Sequence, residues 1–98
     1  MKTYVILRRN GWRTDEDLRV AAERSAQVGD EEMPDDVRWI RSYVLSEEGG
    51  SLGTVCTYEG TTPAKVREHA ERAGLPADEV IEVADTVIVR PDPEPVAV

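Results

Sequence analysis

The chain of 98 residues has one cysteine, one histidine and no phenylalanine, and aromatic side chains make up only 5% of it. A single thiol, Cys56, excludes an intramolecular disulfide framework and any paired CxxC site. With one imidazole, His69, neither HExxH nor a histidine-rich metal cage can be assembled. No apolar run approaches the roughly 20 residues that span a bilayer as a helix. The first such run, residues 4–7, stops at Arg8-Arg9 and is too short for a secretory signal, so a cytoplasmic protein is expected. Basic side chains are scarce as well, 12 against 20 acidic, for a net charge of −8. A surface of that sign repels phosphate backbones and anionic headgroups, which argues against nucleic-acid and membrane partners. There is no nucleophile elbow, and Gly49-Gly50 and Gly53 are not followed by a helix N-terminus, so they read as turn and strand rather than a phosphate cradle. The sequence names no enzymatic reaction.

What remains is a clear pattern of elements. Residues 2–9 are rich in β-formers and end at Asn10-Gly11, which predicts a first strand. Thr14 offers an N-cap, with Asp15, Glu16 and Asp17 where the helix dipole favours negative charge. Leu18, Ala21, Ala22, Ser25 and Val28 then recur at helical spacing up to a stop at Gly29. Residues 37–45 and 52–58 alternate on either side of Glu47-Glu48-Gly49-Gly50, the signature of a hairpin. Thr62 caps a second helix with Pro63 at its first position, Val66, Ala70 and Ala73 form its buried stripe, and Gly74 ends it. A last strand is predicted over residues 80–90, and Pro91, Pro93 and Pro95 make the C-terminal residues an extended tail.

The order β-α-β-β-α-β is the ferredoxin-like plan, an α+β sandwich. Right-handed crossovers place both helices on one face of a four-stranded antiparallel sheet. The expected organisation is one domain over residues 1–90 and a proline-rich tail over 91–98. If no bulge shifts the register, Val5, Leu7, Ile40, Val44, Val55, Ile81, Val83, Val87 and Val89 belong under the helices. Tyr4, Ile6, Arg8, Trp39, Arg41, Tyr43, Thr54, Cys56, Tyr58 and Ile88 then share the opposite face. A solvated sheet face does not ordinarily carry so many large apolar groups, so this face is expected to be covered. Face-to-face pairing into a homodimer, a dimeric α+β barrel, is the first expectation. A small-molecule-binding protein or enzyme with a pocket at the same face is the second, with Arg8, Trp39, Arg41, Tyr43, Cys56 and Tyr58 as ligand-binding candidates and Cys56 or His69 as the only reactive groups. Docking to a different protein is the third. Arg41 paired with an acid across the interface and Cys56 packed as a small hydrophobe are the plain structural readings of those two residues. The acids at 15–17, 31–32, 35–36 and 47–48 read as helix-dipole or loop charges, and Trp12 as a packing residue.

Four segments carry a resemblance: Trp39-Ile40-Arg41-Ser42-Tyr43-Val44, Val55-Cys56-Thr57-Tyr58-Glu59, Val66-Arg67-Glu68-His69-Ala70 and Gly74-Leu75-Pro76-Ala77-Asp78. Together they resemble the small actinobacterial nickel-binding ferredoxin-like proteins, a largely uncharacterised family, over residues 2–90. The stretches at 56–59 and 74–78 are the most specific. The resemblance implies a ferredoxin-like dimer binding a divalent metal, Ni(II), with His69 as the metal-ligand candidate. By spacing alone, His69 sits about 65° from the centre of its helix's apolar stripe, at roughly 100° per residue. That position suits a helix-edge histidine bonded to a carbonyl or an acid, on the other side of the sheet from Cys56.

Overall fold

The computed structural model describes residues 1–95 and carries the expected element order: β1 (Lys2–Trp12), α1 (Asp15–Gln27), β2 (Val37–Ser46), β3 (Leu52–Gly60), α2 (Pro63–Ala73) and β4 (Glu79–Glu82). The four strands form one antiparallel sheet in the order β2-β3-β1-β4, the ferredoxin-like topology. Both helix starts form as their residue types dictate. Thr14 Oγ1 accepts from the Asp17 amide and Thr62 Oγ1 from the Lys65 amide, each at 3.1 Å. Gly74, at φ 69°, supplies the left-handed stop of α2.

Three boundaries depart from the sequence reading. Gly29 does not end the first helix: α1 passes into a wide turn over Val28–Glu32, closed by the Met33 amide on the Val28 carbonyl at 3.0 Å. Val28, Met33 and Val37 are thereby buried, and the turn continues inward because three apolar residues have a core to reach. β1 runs on to Trp12 through an irregularity between Arg8 and Trp12, where Asn10 takes φ 51°. The last strand covers Glu79–Glu82 rather than 80–90. Its ladder sets Leu7 opposite Glu79 and Tyr4 opposite Glu82, and the Val83 amide still donates to the Thr3 carbonyl at 2.8 Å. β1 begins at Lys2, so this register carries the chain past the end of its partner strand at Ala84.

The assignment of faces is reversed for β1, β3 and β4 and for Trp39, whereas Val44 on the helix side and Arg41 and Tyr43 on the open side stand as expected. Tyr4, Ile6, Arg8, Thr54, Cys56 and Tyr58 are buried, and the core cluster joins Tyr4, Ile6, Cys56 and Tyr58 to Val28, Met33, Val37, Val66 and Ala73. These residues lie beneath the helices. Val5, Leu7, Val55 and Ile81 share the open face, where Ile81 is exposed. Side-chain hydrophobicity could not decide between two apolar sets; on the buried side the Tyr58 hydroxyl finds a partner in Ser25 of α1. A bulge at Ile40 then splits β2. Trp39 pairs with Tyr58 on the helix side, whereas Arg41 pairs with Thr57 and Tyr43 with Val55 on the open side. Ser42 and Val44 return to the helix side opposite Cys56 and Thr54.

Candidate functional site

Arg8 defines the site. It alternates with Tyr4 and Ile6 along β1, so its side chain turns under the helices, opposite Thr54 of β3. It is only 1% exposed, and Nε, Nη1 and Nη2 all lack a hydrogen-bond partner among the described residues. No Asp or Glu belongs to the buried set of the described residues. The guanidinium carbon sits 5.9 Å from the centroid of the Tyr58 ring, a cation–π contact that offsets part of the lost hydration. A guanidinium keeps its charge at every physiological pH. An isolated ion in a low-dielectric interior costs several kcal/mol, more than one aromatic face returns.

The Arg8 side chain lines a cavity of about 420 Å³. The space exists because the first turns of α1 meet the sheet through small or half-buried side chains, Leu18, Ala21 and Ala22, that do not fill it. Trp12, Trp39 and Tyr58 supply aromatic walls, while Ser42, Thr54 and Ser25 add hydroxyls. Trp39 stacks on Tyr58, with ring centroids 6.2 Å apart and planes 7° from parallel, and its Nε1 donates to Ser42 Oγ at 2.8 Å. The result is a mainly apolar slot with one buried cation, Arg8, and with the exposed Asp15 and Arg19 at its margin. Such a slot suits a ligand with a flat apolar body and one anionic group.

Behind the slot lies a second polar group. Tyr58 Oη and Ser25 Oγ share a hydrogen bond of 2.8 Å, and His69 Nε2 donates to the Ser25 carbonyl at 3.0 Å in the tautomer that this contact requires. The Tyr58 and His69 rings are 5.2 Å apart. Burial pushes the Tyr58 hydroxyl above its ordinary range, against the Ser25 hydrogen bond and the Arg8 charge. Burial also holds His69 below its ordinary value, helped by the Arg8 charge and opposed by the bond to the Ser25 carbonyl. A neutral folded imidazole has a consequence for stability. Below the ordinary value near 6.5 the unfolded chain binds a proton that the folded chain refuses, so stability is full above that pH and falls as the pH drops. The melting temperature of the wild type is expected to decline between about pH 7 and 5. Thermal melts of His69→Gln, which keeps a donor for the Ser25 carbonyl, should show a flatter profile over that range.

The sequence-derived candidates therefore separate. Arg8, Trp39, Cys56 and Tyr58 line the slot together. The Cys56 thiol donates to Thr54 Oγ1 at 3.2 Å and is buried, in keeping with a packing role. Arg41 and Tyr43 are on the open face, where both bond the Asp92 carboxylate, Tyr43 Oη at 2.6 Å. The pocket expected at the open face with those two residues is replaced by one on the helix side, because the Ile40 bulge turns them away. His69 is fully buried, not at a helix edge, and shares the helix side with Cys56. Sequence reasoning missed Ser25 and Thr54. Ser25 did leave a signal, as the one hydroxyl within the apolar stripe of α1.

Nickel is the metal that the resemblance implies, and the residues of one chain do not fit it. His69 Nε2 bonds a carbonyl and its Nδ1 is buried without a hydrogen-bond partner, but among the described residues no three His, Cys, Asp or Glu side chains converge on a point.

Comparisons with known proteins agree on the frame. The chain superposes on the crystal structure of SCO4226 from Streptomyces coelicolor A3(2) with a TM-score of 0.65 at 22% identity, covering 87% of this chain and 99% of that one. At that identity the likeness establishes the fold. A search of curated proteins finds no match. A family profile, described as nickel responsive protein SCO4226-like, matches residues 4–83. With that match running from β1 through β4 and taking in the whole Arg8 slot, the chain belongs to the SCO4226-like nickel-responsive family.

Proposed function

We propose that this protein binds a small organic anion in the Arg8 slot, with a carboxylate on the guanidinium and a flat apolar body against Trp12, Trp39 and Tyr58. The observation that carries this reading is the buried guanidinium with three unpartnered nitrogens facing a cavity. A carboxylate is its natural complement, because two parallel charge-assisted hydrogen bonds match the guanidinium fork. The ligand also supplies the hydrogen-bonded counter-charge that Arg8 lacks among the described residues. In this reading the protein is a carrier or sensor; the slot holds a ligand, and no group in it is arranged as a nucleophile with its base.

Both tryptophans of the chain line the slot, so their fluorescence reports binding directly. Titration with 3-phenylpropionate is expected to change that emission, and its neutral isostere 3-phenylpropanamide to bind at least about tenfold more weakly, a difference of ~1.4 kcal/mol. Equal affinity for acid and amide, or no response to the acid, would overturn the reading. Nickel chloride serves as the comparison. Calorimetric titrations of wild type and His69→Gln with the metal should superimpose, since His69 is placed to hold Ser25 and not an ion. A nickel isotherm that disappears in His69→Gln would restore the metal-ligand role that the resemblance implies for this residue.

A further inference from the structure

The Arg8 slot has a closed end and an open end, and the strand order sets which is which. Its floor crosses three neighbouring strands, from Arg8 on β1 through Thr54 and Cys56 on β3 to Ser42 and Val44 on β2. β1 lies inside the sheet and β2 is its edge. Exposure rises in the same direction: Arg8, Thr54 and Cys56 are buried, whereas Trp39 and Val44 are each 39% exposed. Two strand spacings make this floor about 10 Å wide. A ligand whose carboxylate reaches the guanidinium therefore points its far end out over β2.

Ser42 stands at that outer end, opposite Cys56 in the β2–β3 register. Its Oγ accepts from Trp39 Nε1 at 2.8 Å. An indole N–H can only donate, so this contact uses a lone pair of the serine oxygen and leaves the hydroxyl proton to be given elsewhere. On α1, across the mouth, Asp15 and Arg19 are exposed and one helical turn apart. A charged group at the outer end would be attracted by one of them and repelled by the other. A hydroxyl meets no such conflict. It accepts from Ser42 and keeps a proton of its own for Asp15 or for water.

We infer that the ligand of the Arg8 slot is a phenolic acid, with its hydroxyl on the ring carbon opposite the acid chain, and that Ser42 selects for that hydroxyl. The inference rests on the reading of the slot as a carboxylate site. Arg8 matches the charge at the closed end, and Ser42 reads the substituent at the open one. Because the outer hydrogen bond forms beside solvent, its net worth is that of one ordinary neutral bond, and the selection it gives is about fivefold.

Calorimetric titration of the full chain tests this with four acids of one skeleton: 3-phenylpropionate and its 4-hydroxy, 4-methyl and 4-carboxy derivatives. The hydroxy and methyl acids are nearly the same size, so their ratio isolates the hydrogen bond. The wild type is expected to bind the 4-hydroxy acid about fivefold more tightly than the 4-methyl acid. Ser42→Thr retains the hydroxyl and should retain that ratio, whereas Ser42→Ala should bring it to within about twofold of unity. The 4-carboxy acid should bind the wild type more weakly than the 4-hydroxy acid. If 3-phenylpropionate binds but the hydroxy and methyl acids are equal, or the ratio survives in Ser42→Ala, or the dicarboxylate binds best, the inference is overturned and the carboxylate site stands. If none of the four acids binds, the carboxylate site itself falls, and the inference falls with it.

Discussion

Arg8→Met is expected to raise the melting temperature of the unliganded protein, an unusual result for replacing a fully buried residue. Two contributions compete. Removing the guanidinium relieves the desolvation of an unpaired buried ion, several kcal/mol. It also forfeits the cation–π contact with Tyr58, worth about 0.5–2 kcal/mol. Desolvation is the larger, and methionine is long and flexible enough to occupy the same path beside Thr54 and Tyr58. The expected net gain is about 1–4 kcal/mol, the range seen when buried ionic groups give way to packed apolar ones. For a domain of this size that means a melting temperature higher by at least about 4 °C. Binding should respond in the opposite sense. Saturating 3-phenylpropionate stabilises the wild type by ~2.7 kcal/mol at one hundred times its dissociation constant, and does nothing for a variant without the cation. Thermal melts of both proteins with and without the acid check all four values. A destabilised variant would mean that Arg8 is satisfied within the fold.

Gly53→Ala is expected to be strongly destabilising. A Cβ at this position would stand 2.6 Å from the Arg8 carbonyl oxygen and 3.0 Å from a Glu47 carboxylate oxygen. Neither neighbour can retreat. The first is backbone in the central strand β1. The second is clamped, since Glu47 accepts from the Asn10 amide at 2.6 Å and from Arg9 Nε at 2.9 Å and Nη2 at 2.8 Å. This clamp ties the end of β2 to the irregular stretch of β1 just beyond Arg8. Overpacking against such neighbours costs on the order of 2–3 kcal/mol, and the melting temperature should fall by roughly 10 °C or more. The shift also displaces Arg8, so affinity for 3-phenylpropionate should drop with it. A thermal midpoint within about 2 °C of wild type would show that β1 and β3 separate here at little cost.

The fold was legible because its signals are local. Thr14, Thr62-Pro63 and Gly74 fix helix ends through their own backbone and side-chain groups, and the alternation on either side of residues 47–50 fixes the hairpin. The faces were not legible, for a physical reason. Val5, Leu7 and Val55 on one parity are as apolar as Tyr4, Ile6 and Tyr58 on the other, so hydrophobicity alone leaves the sheet free to turn either side inward. The buried choice goes with Ser25, which shares a hydrogen bond with Tyr58 Oη and whose carbonyl accepts from His69, contacts between residues 33 and 44 positions apart. The Ile40 bulge was equally invisible, because β-branched residues before and after it suit a regular strand. Arg8 was named as a ligand-binding candidate from its parity with Tyr4 and Ile6, and that grouping survives even though the face it was assigned to does not. The long fourth strand fails for a reason outside its own sequence: residues 86–89 are strand-forming, but β1 provides no further partner.

The most direct test of a buried cation awaiting an anion is a crystal structure of the full chain grown with 3-phenylpropionate. The account predicts the carboxylate within hydrogen-bond distance of the Arg8 guanidinium and the phenyl ring between α1 and the Trp39–Tyr58 stack. An Arg8 side chain turned out to solvent, or paired with an acid of its own chain while the phenylpropionate lies elsewhere, would contradict it.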